Sequence, residues 1–489
     1  MKIREIELAI IGAGPAGICA AIEAAKSNVP VTVIDENLRP GGQIYRRLTD
    51  AFAVTDENKL GKDYVQGTKL ITELEHYSSK IELIENAPVW GIFTDKEIAF
   101  LHEDKSEGLK ARKLILAEGA YDRPMPFPGW TLPGVFAAGG TLRMVKIERV
   151  LPGERLLLAG TGPLQLVLAT QLMQAGAEVI SVLDAASSTG VWKYLPRFWG
   201  QWELLKDGVH YLWELRRGKI PYLMSHAIVE ARGEQEVKEA VYARVDKDGK
   251  PIPGTEKTVE VDAICIGYGL VPSTRLSRLC GCEHKYEPCL GAWVPCYNEN
   301  METSLPGVFV AGDGAGIAGA LVAVEEGRLA AIEACQQLGY ITQEEAQHRS
   351  LPIFRKLKGL RRFESALNEI FSIRRGLFTR ITDDTIVCRC EEITAGEIRR
   401  TIADVIANGT IDICEIKRLT RAGMGNCQGR MCESTIAEMI SIETKRPVVE
   451  MGWLTPRPPV KPLPLGILAA EDTWSLESSP SGKQIDWGQ

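Results

Sequence analysis

The sequence predicts an α/β protein of two successive Rossmann-like units, followed by a small α-rich domain that carries four cysteines. Three observations lead there. Glycine-rich turns follow apolar runs at residues 12–17 and again at 160–165, and two close cysteine pairs stand at 388/390 and 427/432. Rossmann units run strand, turn, helix, strand, with their glycines at the first turn. At 489 residues the chain has room for two or three cores.

The first unit opens with the buried-strand run Leu8–Ile11, then Gly12-Ala13-Gly14-Pro15-Ala16-Gly17, an alanine-rich helix to about Lys26, and a second strand ending at Asp35. Gly12 permits the tight turn, Gly14 lets backbone approach a pyrophosphate, and Gly17 lets the helix pack close to the strand. Ala16 belongs to the same fingerprint. The helix start offers unbonded N–H groups and a positive dipole end to phosphates. Asp35 stands where an acid can bond the adenosine ribose, with Glu36 as a second candidate, and Gly41-Gly42-Gln43 follows. Gly42 and Gln43 complete the expected cradle.

The second unit runs from the strand Arg155–Ala159 through Gly160-Thr161-Gly162-Pro163-Leu164-Gln165 to a strand ending at Asp184. Gln165 replaces the third glycine, so it is expected to push the helix off the strand or to reach toward the ligand. Asp184 favours NAD or another ribose-bearing nucleotide over NADP, and no arginine pair follows to hold a 2′-phosphate. Either an adenine nucleotide binds here or the unit is a relic of the fold. Later, Gly307–Ala311 reads as a strand running into Gly312-Asp313-Gly314 and an alanine-rich helix.

The expected organisation is 1–120 with 266–340 as the first nucleotide-binding domain and 121–265 as the second. A helical connector rich in Arg and Lys occupies 341–382, its charges read as a solvated face. The cysteine domain spans 383–445. A proline-rich tail at 446–489 carries Pro456, Pro458, Pro459, Pro462 and Pro464 and should form an extended strap.

A net charge of −7 leaves no basic surplus for nucleic acid. No run of 18 apolar residues spells a membrane span, and no leader pattern precedes the first strand, so the expectation is the cytoplasm, with a peripheral position on the inner membrane face as a variant. Twelve cysteines in a reducing compartment point to metal or redox chemistry. Cys388, Cys390, Cys427 and Cys432 read as a four-thiolate site for zinc or an iron–sulfur cluster. Arg389, Lys417, Arg418, Arg421 and Arg430 favour the negatively charged cluster, and Gly423, Gly425 and Gly429 let backbone N–H groups reach sulfur. Cys280, Cys282, Cys289 and Cys296 match no ligand spacing; Cys19, Cys265 and Cys335 read as core, and Cys414 as either. No C-x4-C pair follows Gly42, which argues against disulfide reduction. The six histidines stand in no motif, so no catalytic residue is assigned.

The order of these motifs, with Ala117-Glu118-Gly119 at a strand end and Gly312-Asp313 late, resembles the two-dinucleotide-binding-domain flavoproteins. That resemblance implies FAD in the first unit and Asp313 bonding the flavin ribityl chain, with NAD or ATP in one nucleotide site of some relatives. Residues 386–392 (IVCRCEE) and 420–432 (TRAGMGNCQGRMC) resemble the bacterioferritin-associated-ferredoxin-like [2Fe–2S] domain, which implies a [2Fe–2S] cluster on the four cysteines. Residues 117–130 (AEGAYDRPMPFPGW), 132–135, 160–165 and 458–466 resemble the larger, alpha-type subunit of heteromeric amine dehydrogenases. These include opine oxidases, dye-linked proline and hydroxyproline dehydrogenases and the FAD subunit of hydrogen cyanide synthase, with heterotetrameric sarcosine oxidase more distant.

The resemblance implies that a smaller FAD-containing subunit oxidises the amine and that this chain passes the electrons onward. FMN at a subunit interface and a further small iron–sulfur subunit belong to the same expectation. Two rivals remain open: a self-sufficient NADH-dependent flavin and [2Fe–2S] reductase, and a non-catalytic docking or electron-storage protein.

Overall fold

A computed structural model describes residues 3–49, 51–54, 56–187, 190–409 and 411–469. Residues 470–489 of the expected proline-rich tail lie outside the described residues. Strand β1 (Ile3–Ile11) is buried along its last four residues, all apolar, as a strand covered on both faces must be. Helix α1 (Pro15–Lys26) follows, then β2 (Val31–Ile34), α2 (Lys62–His76) and β3 (Ile81–Ile84), giving parallel neighbours β1, β2 and β3. An antiparallel run of β4 (Val89–Phe93), β5 (Glu97–His102) and β6 (Lys105–Leu116) brings the chain back beside β1, in register from Ile3 opposite Gly108 to Ile11 opposite Leu116.

The chain then builds a second parallel sheet. Its strands are β7 (Val135–Ala137), β8 (Arg155–Gly160), β9 (Glu178–Asp184), β10 (Tyr222–Met224) and β11 (Ala263–Gly267), in spatial order β10-β9-β8-β11-β7. Helix α3 (Leu164–Gln174) joins β8 to β9, and α4 (Trp202–Arg217) joins β9 to β10. After α5 (Arg275–Cys280) the chain returns to the first sheet, where β12 (Val308–Val310) pairs with the end of β6. Helix α6 (Ala320–Gln337) crosses α1 so closely that a Cβ on Gly327 would overlap the backbone of Ala16.

Helix α7 (Gln343–Ile370) starts at Thr342, whose side chain accepts from the Glu345 N–H at 3.2 Å. The helix buries Ile353, Leu357, Leu360 and Phe363, spaced three or four apart. Its charged face departs from the expected solvated one. Lys356 reaches Glu325 at 2.6 Å and Arg361 reaches Glu326 at 2.8 Å, both carboxylates buried on α6. The connector is thus riveted to the first domain.

The cysteine domain pairs the short strands Ile386–Cys388 and Ile393–Thr394, followed by α8 (Ala395–Asn408), α9 (Ile413–Thr420) and α10 (Glu433–Thr444). Thr394 and Glu397 form a reciprocal capping box at the start of α8. Ile398, Ile402, Ile416, Ile436 and Ile440 are buried together, each contributing about 1.5–3 kcal/mol. That core continues into the second unit through Met125 and Tyr268, and the Trp130 indole donates to the Ile386 carbonyl at 2.7 Å. The described part of the tail lies on this chain's own body, extended between a helical turn at Val448–Met451 and a short helix at Leu465–Ala469. Leu454 is buried in the cysteine domain's core, while Val460 is buried in the first domain and donates its N–H to the Trp90 carbonyl at 2.9 Å.

Candidate functional site

At the first fingerprint the three glycines have different geometric reasons. Gly12 has φ +101°, and a Cβ there would overlap the Ala117 carbonyl at the end of β6. A Cβ on Gly17 would overlap the carbonyl of Gly12, so only glycine lets α1 lie on the strand. Gly14 is different: its φ is −78°, and a Cβ there would meet only the Gly42 Cα, at 3.8 Å. The fold itself does not require glycine at that point. Glycine there instead suits close backbone approach by a pyrophosphate at the start of α1. Gly42 (φ +62°) packs directly on Gly14, so that a Cβ on it would lie 2.8 Å from the Gly14 Cα, and Gln43 is exposed nearby. Ala16, expected in the cradle, has its side chain buried toward α6 and packs against Gly312 and Gly327.

Asp35 is not where the sequence reading put it. It is buried, accepting from the Ala13 N–H and from the N–H and side-chain amide of Asn37, the latter two at 2.7 and 2.8 Å. Its carboxylate therefore shapes the loop. Glu36, the next residue, is exposed and ion-paired with Lys461 of the strap. Arg46, which the sequence reading did not single out, donates to Asn37 Oδ1 at 2.8 Å and extends the same network. Burial, and after it the charge of Arg143, lowers the pKa of Arg46.

Asp313 follows Gly312 at the end of β12. Its Oδ1 accepts from Ala318 and Gly319 at 3.1 and 3.0 Å, while Oδ2 has no hydrogen bond among the described residues. Burial raises the pKa of this carboxyl. Glu118, at the end of β6, accepts from the first N–H groups of α5, Leu276 and Ser277, at 3.3 and 3.4 Å. Desolvation raises it to about 7, against those two hydrogen bonds. The same short helix carries Arg275, which donates to the carbonyl of Gln428, next to Cys427. Arg278 pairs with Glu433, next to Cys432, at 2.9 Å and lies over Trp453 of the strap.

At the second fingerprint Gln165 takes neither expected course. Its side chain is fully buried, donating to the Gly267 carbonyl at 3.1 Å and the Ala159 carbonyl at 3.5 Å. It pins β8 to β11. Asp184 is also fully buried, accepting from the Ala186 N–H at 2.7 Å and the Tyr222 hydroxyl at 2.6 Å. Burial raises its pKa against those hydrogen bonds. It stabilises the turn and does not face a ribose. Gly160 ends β8, and Gly162 (φ +101°) has the Phe371 side chain 3.9 Å from where its Cβ would lie.

The four cysteines come from the first hairpin and from the loop before α10. Cys388 and Cys432 are buried, Cys427 is half-buried and Cys390 is exposed. All four lie close together: the Cys388 and Cys432 thiols meet, as do those of Cys390 and Cys427, and each pair feels the charge of the other. The Cys432 thiol and the N–H groups of Gly423, Glu391 and Cys390 bring Cys388 down to about 6; Cys432 is pushed up correspondingly. The Gly423 N–H lies 3.4 Å from Cys388 Sγ. Gly423 and Gly429 also admit Leu454, and Gly425 lies against Cys390. Two of the expected cations are engaged elsewhere, Arg418 with Glu415 and Arg421 with Glu391. Among the described residues no group of three or more His, Cys, Asp or Glu side chains is arranged to hold a metal ion. Cys282 is buried in the first core with Cys280 packed against it, and His284 bonds Ser277 at 3.0 Å, held near pKa 4 by desolvation.

Fold and cradle together define a dinucleotide-binding flavoprotein oxidoreductase. The comparisons place it: the chain belongs to the pyridine nucleotide-disulphide oxidoreductase family, whose sequence profile matches residues 6–327. A second profile, the sarcosine oxidase A3 domain, matches residues 383–472. The A subunit of opine oxidase from Agrobacterium tumefaciens is 36% identical over 480 residues, covering 95% of this chain and 91% of that one. Hydrogen cyanide synthase subunit HcnB of Pseudomonas aeruginosa is 34% identical, covering 95% and 98%. Among solved structures, L-proline dehydrogenase from P. horikoshii superposes with a TM-score of 0.69 at 22% identity, covering 96% of this chain and 80% of that one, a likeness of fold. The family implies bound FAD, and relatives that are themselves subunits imply partner chains.

Proposed function

We propose that this chain is the electron-transferring flavin and iron–sulfur subunit of a heteromeric amino-acid or opine dehydrogenase. The observation that carries the reading is α5. Within six residues, about 9 Å of helix, it holds Glu118 at the flavin cradle and the Gln428 carbonyl beside Cys427. One rigid element therefore fixes the distance between the two sites.

The residues fit the groups assigned to them. Gly14 would let backbone approach the FAD pyrophosphate, the exposed Glu36 would take the ribose in place of Lys461, and Asp313, whose Oδ1 alone is bonded, would take the ribityl chain. The four cysteines supply the four thiolates that a [2Fe–2S] core takes, two to each iron. Zinc would take the same four. The C-x-C and C-x4-C spacing, with the Gly423 N–H at 3.4 Å from Cys388 Sγ, favours the cluster. Bound there, a flavin accepts an electron pair and a two-iron cluster carries one electron at a time. The chain's own part is to hold the strap on the first domain through Lys461 and Val460, and to present the four thiols together.

The names of the relatives point to an amine or amino-acid donor oxidised in a partner subunit. Against the rival NADH-dependent reductase stand Gln165 and Asp184, both turned inward at the second fingerprint. The test is dye reduction with proline, hydroxyproline, octopine, nopaline and glycine, using the isolated chain and the reconstituted complex. Turnover is expected from the complex alone, and NADH should not bleach the isolated chain's flavin. Turnover of any of these donors by the isolated chain, or NADH bleaching, would overturn the assignment.

A further inference from the structure

Between β9 and β10 the chain places four of its ten tryptophans within 22 residues. They are not core. Trp192 is 75% exposed, Trp199 69% and Trp213 54%, and Trp202, Leu195 and Val209 are exposed with them. On α4, Trp202, Val209 and Trp213 project within an arc of about 40° at 3.6 residues per turn. The opposite face of the helix already has its packing, through Leu204 and the fully buried Leu215. The helix therefore has two apolar faces, one of them without a partner among the described residues. Trp199 and Trp202 meet edge to face at 5.2 Å, so the segment before the helix continues the same surface.

Charge identifies the occupant. Residues 190–219 carry six basic and three acidic side chains, in a chain whose net charge is −7. Lys193, Lys206, Arg216 and Lys219 form no ion pair among the described residues, and Arg217 lies over the Trp213 ring. Protein interfaces enrich tryptophan and arginine but deplete lysine. Lysine and arginine around a tryptophan and leucine face instead mark a helix that lies in a lipid headgroup region. No helix among the described residues is long and apolar enough to cross a membrane, so attachment would be at the surface.

We propose that residues 190–219 form a membrane-docking surface, and that its partner is an anionic lipid bilayer. The tryptophans enter the headgroup region while the basic rim meets anionic lipid, each basic residue contributing about fivefold in affinity. The test is co-sedimentation of the full, flavin-loaded chain with vesicles of phosphatidylcholine alone and with 40% phosphatidylglycerol by design (about that fraction suffices for a strong surface potential). Binding to the anionic vesicles is expected, at least about tenfold stronger than to neutral ones and weakened by salt.

Two variants check the surface itself: the triple Trp192→Ser, Trp199→Ser, Trp213→Ser, and the triple Lys206→Glu, Arg216→Glu, Lys219→Glu. Each should lose at least about tenfold in vesicle binding, while flavin content and melting midpoint stay at wild-type values. The proposal is overturned if the wild-type chain ignores anionic vesicles. It is equally overturned if correctly folded variants bind as well as wild type, or if adding the partner subunit protects this surface and abolishes vesicle binding.

Discussion

The two glycine fingerprints share a strand–turn–helix order but differ in backbone, left-handed at Gly12 in one and at Gly162 in the other, and in what their side chains do. Each strand ends against the carbonyl of a neighbouring strand, Gly12 on Ala117 and Gly160 on Gly267. At the first, the third glycine is kept, Gly14 packs on the backbone of Gly42, and an exposed acid, Glu36, follows the buried Asp35. At the second, the Gln165 amide bonds the strands, and the buried Asp184 is followed by two alanines, Ala185 and Ala186. After Ala117 comes a carboxyl, Glu118; after Gly267 comes Tyr268, buried and bonded to Arg380 at 2.8 Å. At the first unit Asp35 and Glu118 also serve the fold, and one acid, Glu36, stays exposed, paired with Lys461; at the second Gln165, Asp184 and Tyr268 are all buried. An acid at the end of a Rossmann strand can thus be spent on its own loop, as Asp35 and Asp184 are.

The largest expected contrast comes from the second glycine of each motif. Gly14→Val should fold but retain less than about a tenth of the wild-type flavin, because the side chain fills the pyrophosphate space. Gly162→Val, at φ +101° where a side chain is strained, should lower the melting midpoint but leave the flavin content of the folded chain unchanged. Flavin absorbance per chain measures both, and equal flavin loss in the two would break the comparison.

Gln165→Ala comes next. It removes the amide donors from two buried carbonyls and opens a cavity, costing about 2–4 kcal/mol. The melting midpoint should fall while flavin content holds. A flavin-free but otherwise stable variant would mean that Gln165 belongs to a ligand site after all.

Smaller still is the exchange of acids. Glu36→Gln should weaken flavin binding by about tenfold, the size of one charge-assisted hydrogen bond, whereas Asp184→Asn should change stability only. Titration of the flavin-free chain with FAD separates the two.

The subtlest effect is a pH dependence. Burial raises Glu118 from the usual 4.5 to about 7. A carboxyl whose folded pKa is raised contributes stability below its unfolded pKa and loses it as pH rises through the folded one. Stability should therefore decline between pH 4.5 and 7, and Glu118→Gln should flatten that decline. Thermal melts across the window decide; an unchanged slope would leave Glu118 without this role.

Much of this was legible in the sequence because local rules carried it. Alternating apolar strands and helices around two glycine turns spelled the mixed α/β dinucleotide fold, and the absence of polar residues in Leu8–Ile11 spelled a strand buried on both faces. The inward turn of Asp35, Asp184 and Gln165 was not legible. Each depends on a backbone group far along the chain or across the sheet, and residue type alone does not say which way a side chain points. The same holds for Arg275 and Leu454, whose significance appears only when α5 and the strap meet the cysteine loop. The charges of α7 read as solvated because their buried partners, Glu325 and Glu326, lie on another helix.

The central claim is one flavin cradle joined to one cluster, with the second nucleotide fold retained for structure. The most direct measurement is the composition of the chain purified without oxygen: FAD, iron, acid-labile sulfide and zinc per polypeptide. The account predicts about one FAD, about two irons and about two sulfides, with the iron and sulfide lost and the flavin kept when Cys427 is changed to serine. One zinc per chain in place of iron and sulfide, or flavin that disappears together with the cluster in that variant, would contradict it.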